Sequence, residues 1–258
     1  MQIIKTIILG IVQGLTEWLP ISSTGHLRIF ETLLDLRVPI LFDVVLHVGT
    51  LIVILTFFRQ RISRILSSLA NLDFETEHGR FVPLVIVGTI PTILIGGIFG
   101  GMIEDMFQNF LHIGLAFMFC GIVLYTTRFG KEKTSGIGYS TAVIMGIAQG
   151  IAIIPGVSRS GITIAVALLL GIKRRKAFEF SFLLSIPAIL GALGYTALAQ
   201  FEELASAGLG WQEGFAGVLI SMFVGYFALK LLGKALMKRK FHLFAFYCWI
   251  LGALLLLW

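Results

Sequence analysis

Five stretches of this chain, Phe81–Ile103, Phe110–Thr127, Phe180–Phe201, Gly214–Leu229 and Phe241–Trp258, contain no Asp, Glu, Lys or Arg. Each approaches the ~20 apolar residues that a helix needs to cross a bilayer core. Backbone N–H and C=O groups find no water there, so a spanning segment must close its own hydrogen bonds as a helix or join a closed barrel. Unbroken rather than alternating apolar runs select the helix. The sequence therefore predicts an all-α polytopic membrane protein, a single integral domain over residues 1–258. Composition agrees: 57% of the residues are hydrophobic and 13% charged, against ~25% charged in soluble domains. The N-terminal apolar stretch imitates a secretory signal, but Gln13 and Glu17 interrupt it, and it is expected to be retained. Cys120 and Cys248 fall inside apolar spans and are expected to be buried free thiols.

The chain repeats itself. "LGIVQGLTEWLPISSTG" (Leu9–Gly25) overlies "MGIAQGIAIIPGVSRSG" (Met145–Gly161) without a gap at an offset of 136. Gly10, Gln13, Gly14, Ser22 and Gly25 meet Gly146, Gln149, Gly150, Ser158 and Gly161, and Phe42-Asp43 falls on Phe178-Glu179. Two homologous halves follow, repeat one about 1–130 and repeat two about 137–258. Each half has five apolar segments, at 3–19, 26–36, 42–58, 81–103 and 110–127, then at 140–154, 162–172, 177–200, 214–232 and 241–258. A segment of 11 residues reaches only about 16 Å, half the hydrocarbon thickness. The first pair in each half therefore reads as a re-entrant helix-loop-helix hairpin, leaving six transmembrane helices.

Each hairpin returns the chain to its starting side, and three crossings then place the second half upside down relative to the first. This topology gathers residues 59–80, 128–133, 173–176 and 230–240 on one side, with 16 of the 20 basic residues. Glu104-Asp105 and Glu202-Glu203 lie on the other. The positive-inside rule makes the basic loops cytoplasmic. The pI near 9.5 then reflects membrane topology and anionic lipid, not nucleic acid.

Inverted repeats with broken helices place polar groups at the repeat interface, with helix N-termini directed at anions. Both hairpin tips supply such N-termini. Gln13 and Glu17, four apart, share a helix face. Ser22, Ser23, Thr24 and His26 follow the break at Pro20, and Arg159 is the sole basic residue of the second tip. A hydroxyl, an imidazole, a carboxylate and a guanidinium are the parts of metal-assisted phosphoryl transfer. Plainer roles compete: the serines as N-caps, Arg159 as a tie to Glu17, and Thr163 and Gln149 as packing residues. Asp43 and Glu179 read as interfacial caps. His47, His78, His112 and His242 are scattered without metal-ligand spacing.

"QGLTEWLPISSTGH" and "PGVSRSGIT" resemble the two signature regions of the undecaprenyl-diphosphate phosphatases, the bacitracin-resistance family, and "FDVVLHVGT" (Phe42–Thr50) resembles a third shared block. The resemblance implies hydrolysis of undecaprenyl diphosphate to undecaprenyl phosphate and phosphate in the bacterial inner membrane. It also implies six spanning helices with two re-entrant hairpins, and a site open to the outer face. Glu17, Ser23, His26 and Arg159 are then the expected catalytic residues. Ser22, Thr24, Ser158, Ser160 and Thr163 are the expected phosphate contacts. A divalent cation, Mg2+ or Ca2+, is implied, with Glu17 and Gln13 as its ligands; Gln13 is the neutral option at an E/Q position. Ser23 is the favoured nucleophile with His26 as its base; Ser22, His26 itself and water remain open. The expected partners are a polyprenyl diphosphate, membrane lipids and a second copy in a homodimer. The rival reading is a polyprenyl-phosphate flippase built on the same repeats.

Overall fold

The protein is described here as a computed structural model, covering residues 2–36, 40–106, 109–134, 136–199 and 211–258. It is all α among those residues, with one isolated backbone bridge between Thr134 and Ile172. The helices are α1 (Gln2–Trp18), α2 (Ser23–Leu33), α3 (Ile40–Phe57), α4 (Arg59–Ala70), α5 (Phe81–Met106) and α6 (Phe110–Thr126). The second half gives α7 (Tyr139–Ile151), α8 (Arg159–Leu169), α9 (Arg174–Ala199), α10 (Trp211–Met237) and α11 (Phe244–Leu256).

Among the described residues, four helices are long and apolar enough to cross a membrane, and a fifth span arises if the bent pair α3–α4 counts as one. The segment expected at 241–258 begins as a 3₁₀ turn, Phe241–Leu243, and its apolar helical stretch Phe241–Leu256 is shorter than the other four spans. It packs along α6 as a partner. α4 lies between the expected apolar segments 42–58 and 81–103. Its arginines, Arg59, Arg61 and Arg64, interrupt hydropathy, and the amphipathic turn they create leaves α3 at a 79° bend. The acids Glu202-Glu203 lie outside the described residues, and of the Glu104-Asp105 pair only the backbone, within α5, is described.

The packing follows the halves. α1 lies against α10 and α7 against α5; α3 meets α10 and α9 meets α5; α6 pairs with α11 and α3 with α9. Small residues allow these close approaches: a Cβ on Gly49 of α3 would lie 2.4 Å from the Val218 carbonyl of α10. The buried core runs through Trp18, Ile54, Phe117, Met145, Phe180, Phe182 and Leu229. The outer faces of α5 and α10 carry exposed Ile86, Ile93, Ile98, Phe223 and Phe227, a surface that only lipid solvates without cost.

Both hairpins are present. α1 stops at Trp18, Leu19–Ser22 turn, and α2 runs only 11 residues; α7, a turn through Gly156 and the 11-residue α8 mirror it. Ser22 has φ 65°, and its side chain accepts from Gly25 N as N-cap. A left-handed non-glycine residue costs about 1–3 kcal/mol and persists only where its surroundings fix it. The other tip does so: Gly156 N donates to Ser22 Oγ at 3.1 Å. Gly156 has φ 98°, and a Cβ there would lie 2.6 Å from the Ile113 carbonyl, so only glycine fits.

Candidate active site

The break at Pro20 ends α1 with Glu17 one turn back, and α2 starts at once with Ser23. This short reversal directs both side chains to one point. Ser23 Oγ donates to Glu17 Oε2 at 2.6 Å. Gln13, one turn before Glu17 on α1, donates from Nε2 to the same oxygen at 3.2 Å. Arg159, first residue of α8, pairs with Glu17 Oε1 across the tip-to-tip contact. A fourth group arrives from α3: His47 Nε2 lies 3.3 Å from Glu17 Oε2. His47 Nδ1 donates to Asp43 O at 2.7 Å; a carbonyl only accepts, so Nδ1 carries a hydrogen, and Nε2 donates to the carboxylate as the second N–H of an imidazolium, the form in which the two groups make an ion pair.

Glu17 is thus a buried carboxylate, 6% exposed, facing donors only. Three converge on Oε2 and a guanidinium holds Oε1. An unpaired charge here would be costly. Arg159 keeps 22% of its side chain exposed while Glu17 keeps 3%. The arginine is therefore the member of the pair that an incoming anion reaches first.

His26 stands apart from this cluster. Its Nδ1 donates to Ser22 O at 2.7 Å, and Nε2 accepts from Tyr247 OH at 2.6 Å. It stacks on Tyr247 at 5.6 Å and meets Phe117 edge-on at 5.5 Å. The expected Ser23–His26 contact is therefore absent: the N-terminal turn of α2 faces Ser23 toward α1, and His26, three residues on, toward α6 and α11. Ser23's acceptor is Glu17.

The remaining hydroxyls build the tips. Thr24 Oγ1 lies 3.3 Å from Ser22 Oγ. Ser158 caps α8 through Gly161 N at 3.1 Å. Ser160 donates to Trp18 O at 3.0 Å, tying the second tip to the first. Thr163 bonds Arg159 O at 2.7 Å and Ser181 Oγ at 2.6 Å. Gln149, repeat partner of Gln13, lies elsewhere, with Thr92 Oγ1 and Leu184 O each at 3.3 Å. Asp43, foreseen as an interfacial cap, is buried beside Glu31, and Arg28 reaches both at 3.4 and 2.7 Å.

Sequence reasoning missed His47 and Tyr247. His47 lies 30 residues beyond Glu17, and only its place in the shared "FDVVLHVGT" block pointed to it. Tyr247 sits in an apolar run with no polar neighbour pattern, so no local signal marks it.

The donor set does not fit a resident divalent cation on Glu17 and Gln13. Both Glu17 oxygens are already engaged by hydrogen donors, and among the described residues no group of three or more His, Cys, Asp or Glu could hold a metal. Gln13 Oε1 is buried and without a partner, but one neutral amide oxygen makes no cage.

Comparison with known proteins now decides the family. The family model described as bacitracin resistance protein BacA matches residues 6–254. The chain belongs to the BacA family. Relatives named undecaprenyl-diphosphatase match end to end. That of Halothermothrix orenii is 40% identical, covering 100% of this chain and 98% of its own. That of Carboxydothermus hydrogenoformans is 39% identical over 99% of this chain and 97% of its own. That of Methanosphaera stadtmanae is 38% identical over 98% and 96%. This member of the BacA family is a multi-pass membrane protein whose two hairpin tips meet at Glu17 and Arg159.

Proposed function

We propose that this chain hydrolyses undecaprenyl diphosphate to undecaprenyl phosphate and inorganic phosphate. That activity returns the lipid carrier to peptidoglycan and envelope synthesis, and supports bacitracin resistance. The observation that carries the reading is the Ser23 hydroxyl donating at 2.6 Å to a buried carboxylate that Arg159 also holds. A nucleophile, its proton acceptor and an anion-binding guanidinium share one carboxylate. A carrier that only moves its lipid has no use for a hydroxyl poised on a base.

In the mechanism that this geometry supports, Arg159 leaves Glu17 for the terminal phosphate, its planar fork matching two phosphate oxygens. Glu17, relieved of the guanidinium, becomes the stronger base. Ser23 Oγ attacks the terminal phosphorus while its proton passes to Glu17 Oε2. The anhydride P–O bond breaks, and its electron pair leaves with undecaprenyl phosphate. Water then attacks the phosphoserine phosphorus, Glu17 returns the proton to Ser23 Oγ, and phosphate departs. His47, fixed by the Asp43 carbonyl, holds Oε2 of Glu17 toward Ser23. His26 and Tyr247 stiffen the first tip against α6 and α11. Ser22, Thr24, Ser158, Ser160 and Thr163 act in this reading through the tips they brace, and the N–H groups at the starts of α2 and α8 are available to phosphate oxygens.

We further infer that the two halves are inverted repeats, a reading supported by the matched packing of α1 with α10 and α7 with α5. The positive-inside rule favours a cytoplasmic location for the arginine-rich end, with the site opening to the outer face. A dependence on Mg2+ or Ca2+ is tested by the same assay: phosphate release by purified protein from undecaprenyl diphosphate, with and without EDTA. Release should be lost in Glu17→Ala and Arg159→Ala. Well-folded protein that binds the lipid and releases no phosphate would sink the enzyme reading and favour a flippase.

A further inference from the structure

A second polar centre lies at the arginine-rich end of the bundle. A cavity of about 1050 Å³ opens in the elbow between α3 and α4. Phe57, Phe58, Phe178 and Tyr226 form aromatic wall, and five cations and two carboxylates, Glu77 and Glu179, face the same space. The carboxylates are already matched. Arg61 pairs with Glu179 and with Glu77, and Lys176 Nζ reaches Glu77 at 2.5 Å and Glu179 at 3.5 Å. The other three cations, Arg59, Arg64 and Arg175, line the cavity with no carboxylate partner among the described residues.

Depth is set by α4. It leaves α3 at 79° and carries Arg59, Arg61 and Arg64 beside half-buried Ile62 and Ile65 and exposed Leu66 and Leu69. An amphipathic helix bent out of a span lies in the plane of the interface, its cations at headgroup level. The cavity beneath it therefore combines aromatic and cationic wall at the depth of lipid phosphates. From His47 to Phe57 along α3 is about 15 Å at 1.5 Å per residue, so the cavity is separate from the Glu17 site.

We propose that this cavity binds the headgroup of a lipid phosphate monoester. A phosphodiester brings one negative charge and leaves most of the guanidinium charge uncompensated. A terminal phosphate carries about −1.5 to −2 at neutral pH and offers three oxygens to guanidinium donors. The aromatic wall accepts the first apolar groups of its chain, which free phosphate lacks.

The test is native mass spectrometry of the full chain in detergent, in a Glu17→Gln/Arg159→Gln background that removes the phosphate contact of the first site. The probes are dioleoyl phosphatidic acid (a monoester), dioleoyl phosphatidylglycerol (a diester) and inorganic phosphate as competitor. One phosphatidic acid should bind in preference to phosphatidylglycerol. Arg64→Gln/Arg175→Gln should weaken it roughly tenfold or more, the scale of losing charge-assisted phosphate bonds. Arg64→Lys/Arg175→Lys, which keeps the charge, should fall between. Lys238→Gln/Lys240→Gln, which removes equal charge from residues that do not line the cavity, should change nothing. In the otherwise native chain, phosphatase activity of each pair reports that it folds. Equal binding of monoester and diester, unchanged binding in Arg64→Gln/Arg175→Gln, or displacement of the lipid by equimolar inorganic phosphate would overturn the proposal.

Discussion

Replacing Arg159 by glutamine leaves the Glu17 carboxylate buried without its guanidinium. Breaking one partner of a buried ion pair typically costs 3–5 kcal/mol. Two features of this site reduce that. Arg159 keeps 22% of its side chain exposed, so water already screens the pair, and Gln13, Ser23 and His47 still face Glu17 Oε2. The expected loss is therefore about 2 kcal/mol. Adding Glu17→Gln removes the stranded charge, and an amide there can still accept from Ser23. The double variant should return to within about 1 kcal/mol of the native chain, a coupling of about 1–2 kcal/mol. Unfolding by SDS in mixed micelles measures this, followed by tryptophan fluorescence, since Trp18 is buried directly after Glu17 at 1% exposure. Arg159→Gln, Glu17→Gln and the double variant should all lack phosphatase activity, so stability and catalysis separate. If Arg159→Gln is as stable as the native chain, or the double variant is no more stable than Arg159→Gln, the pair does not hold the hairpin tips together and the reasoning fails.

Three other perturbations test the site from different sides. His47→Phe removes one donor from Glu17 Oε2 and should lower kcat about ten- to a hundredfold with KM little changed, since one hydrogen bond to a charged group is worth about 1.5–3 kcal/mol; an unchanged kcat would remove His47 from the site. Tyr247→Phe deletes the 2.6 Å bond to His26 Nε2 and keeps the stack at 5.6 Å, so initial-rate kinetics should show about a two- to tenfold loss, the worth of one neutral hydrogen bond. Gly25→Ala sets a methyl 2.7 Å from the Phe117 ring and 3.3 Å from Gly156 Cα. It should destabilise by about 1–3 kcal/mol, the usual cost of overpacking, and a folded variant of native stability and activity would show that the tips need not touch.

The sequence alone determined the class and most of the skeleton. Long uncharged runs leave the backbone no partner but itself, so helices at 81–106, 110–126, 174–199 and 211–237 follow from hydropathy. Pro20 and Pro155, each followed by glycine or hydroxyl residues, mark the two hairpin tips because proline stops a helix and serine caps the next. The approach of Arg159 to Glu17 was also legible, since a lone cation and a lone carboxylate in apolar halves have no cheaper place to go. Tertiary structure alone decided which groups meet at the shared carboxylate. Ser23 and His26 are three apart, and local periodicity cannot say that one turns to α1 and the other to α11. His47 comes from a span whose register against α10 is set by packing at Gly49 and Ser221, and α10 meets Gly14 of α1 at the same Ser221. The cavity at the far end depends on the α3–α4 bend. Its cations read in sequence only as loop charge; the bend turns them toward one space. Sequence fixes which groups must avoid lipid, whereas crossing angles and register decide which of them meet.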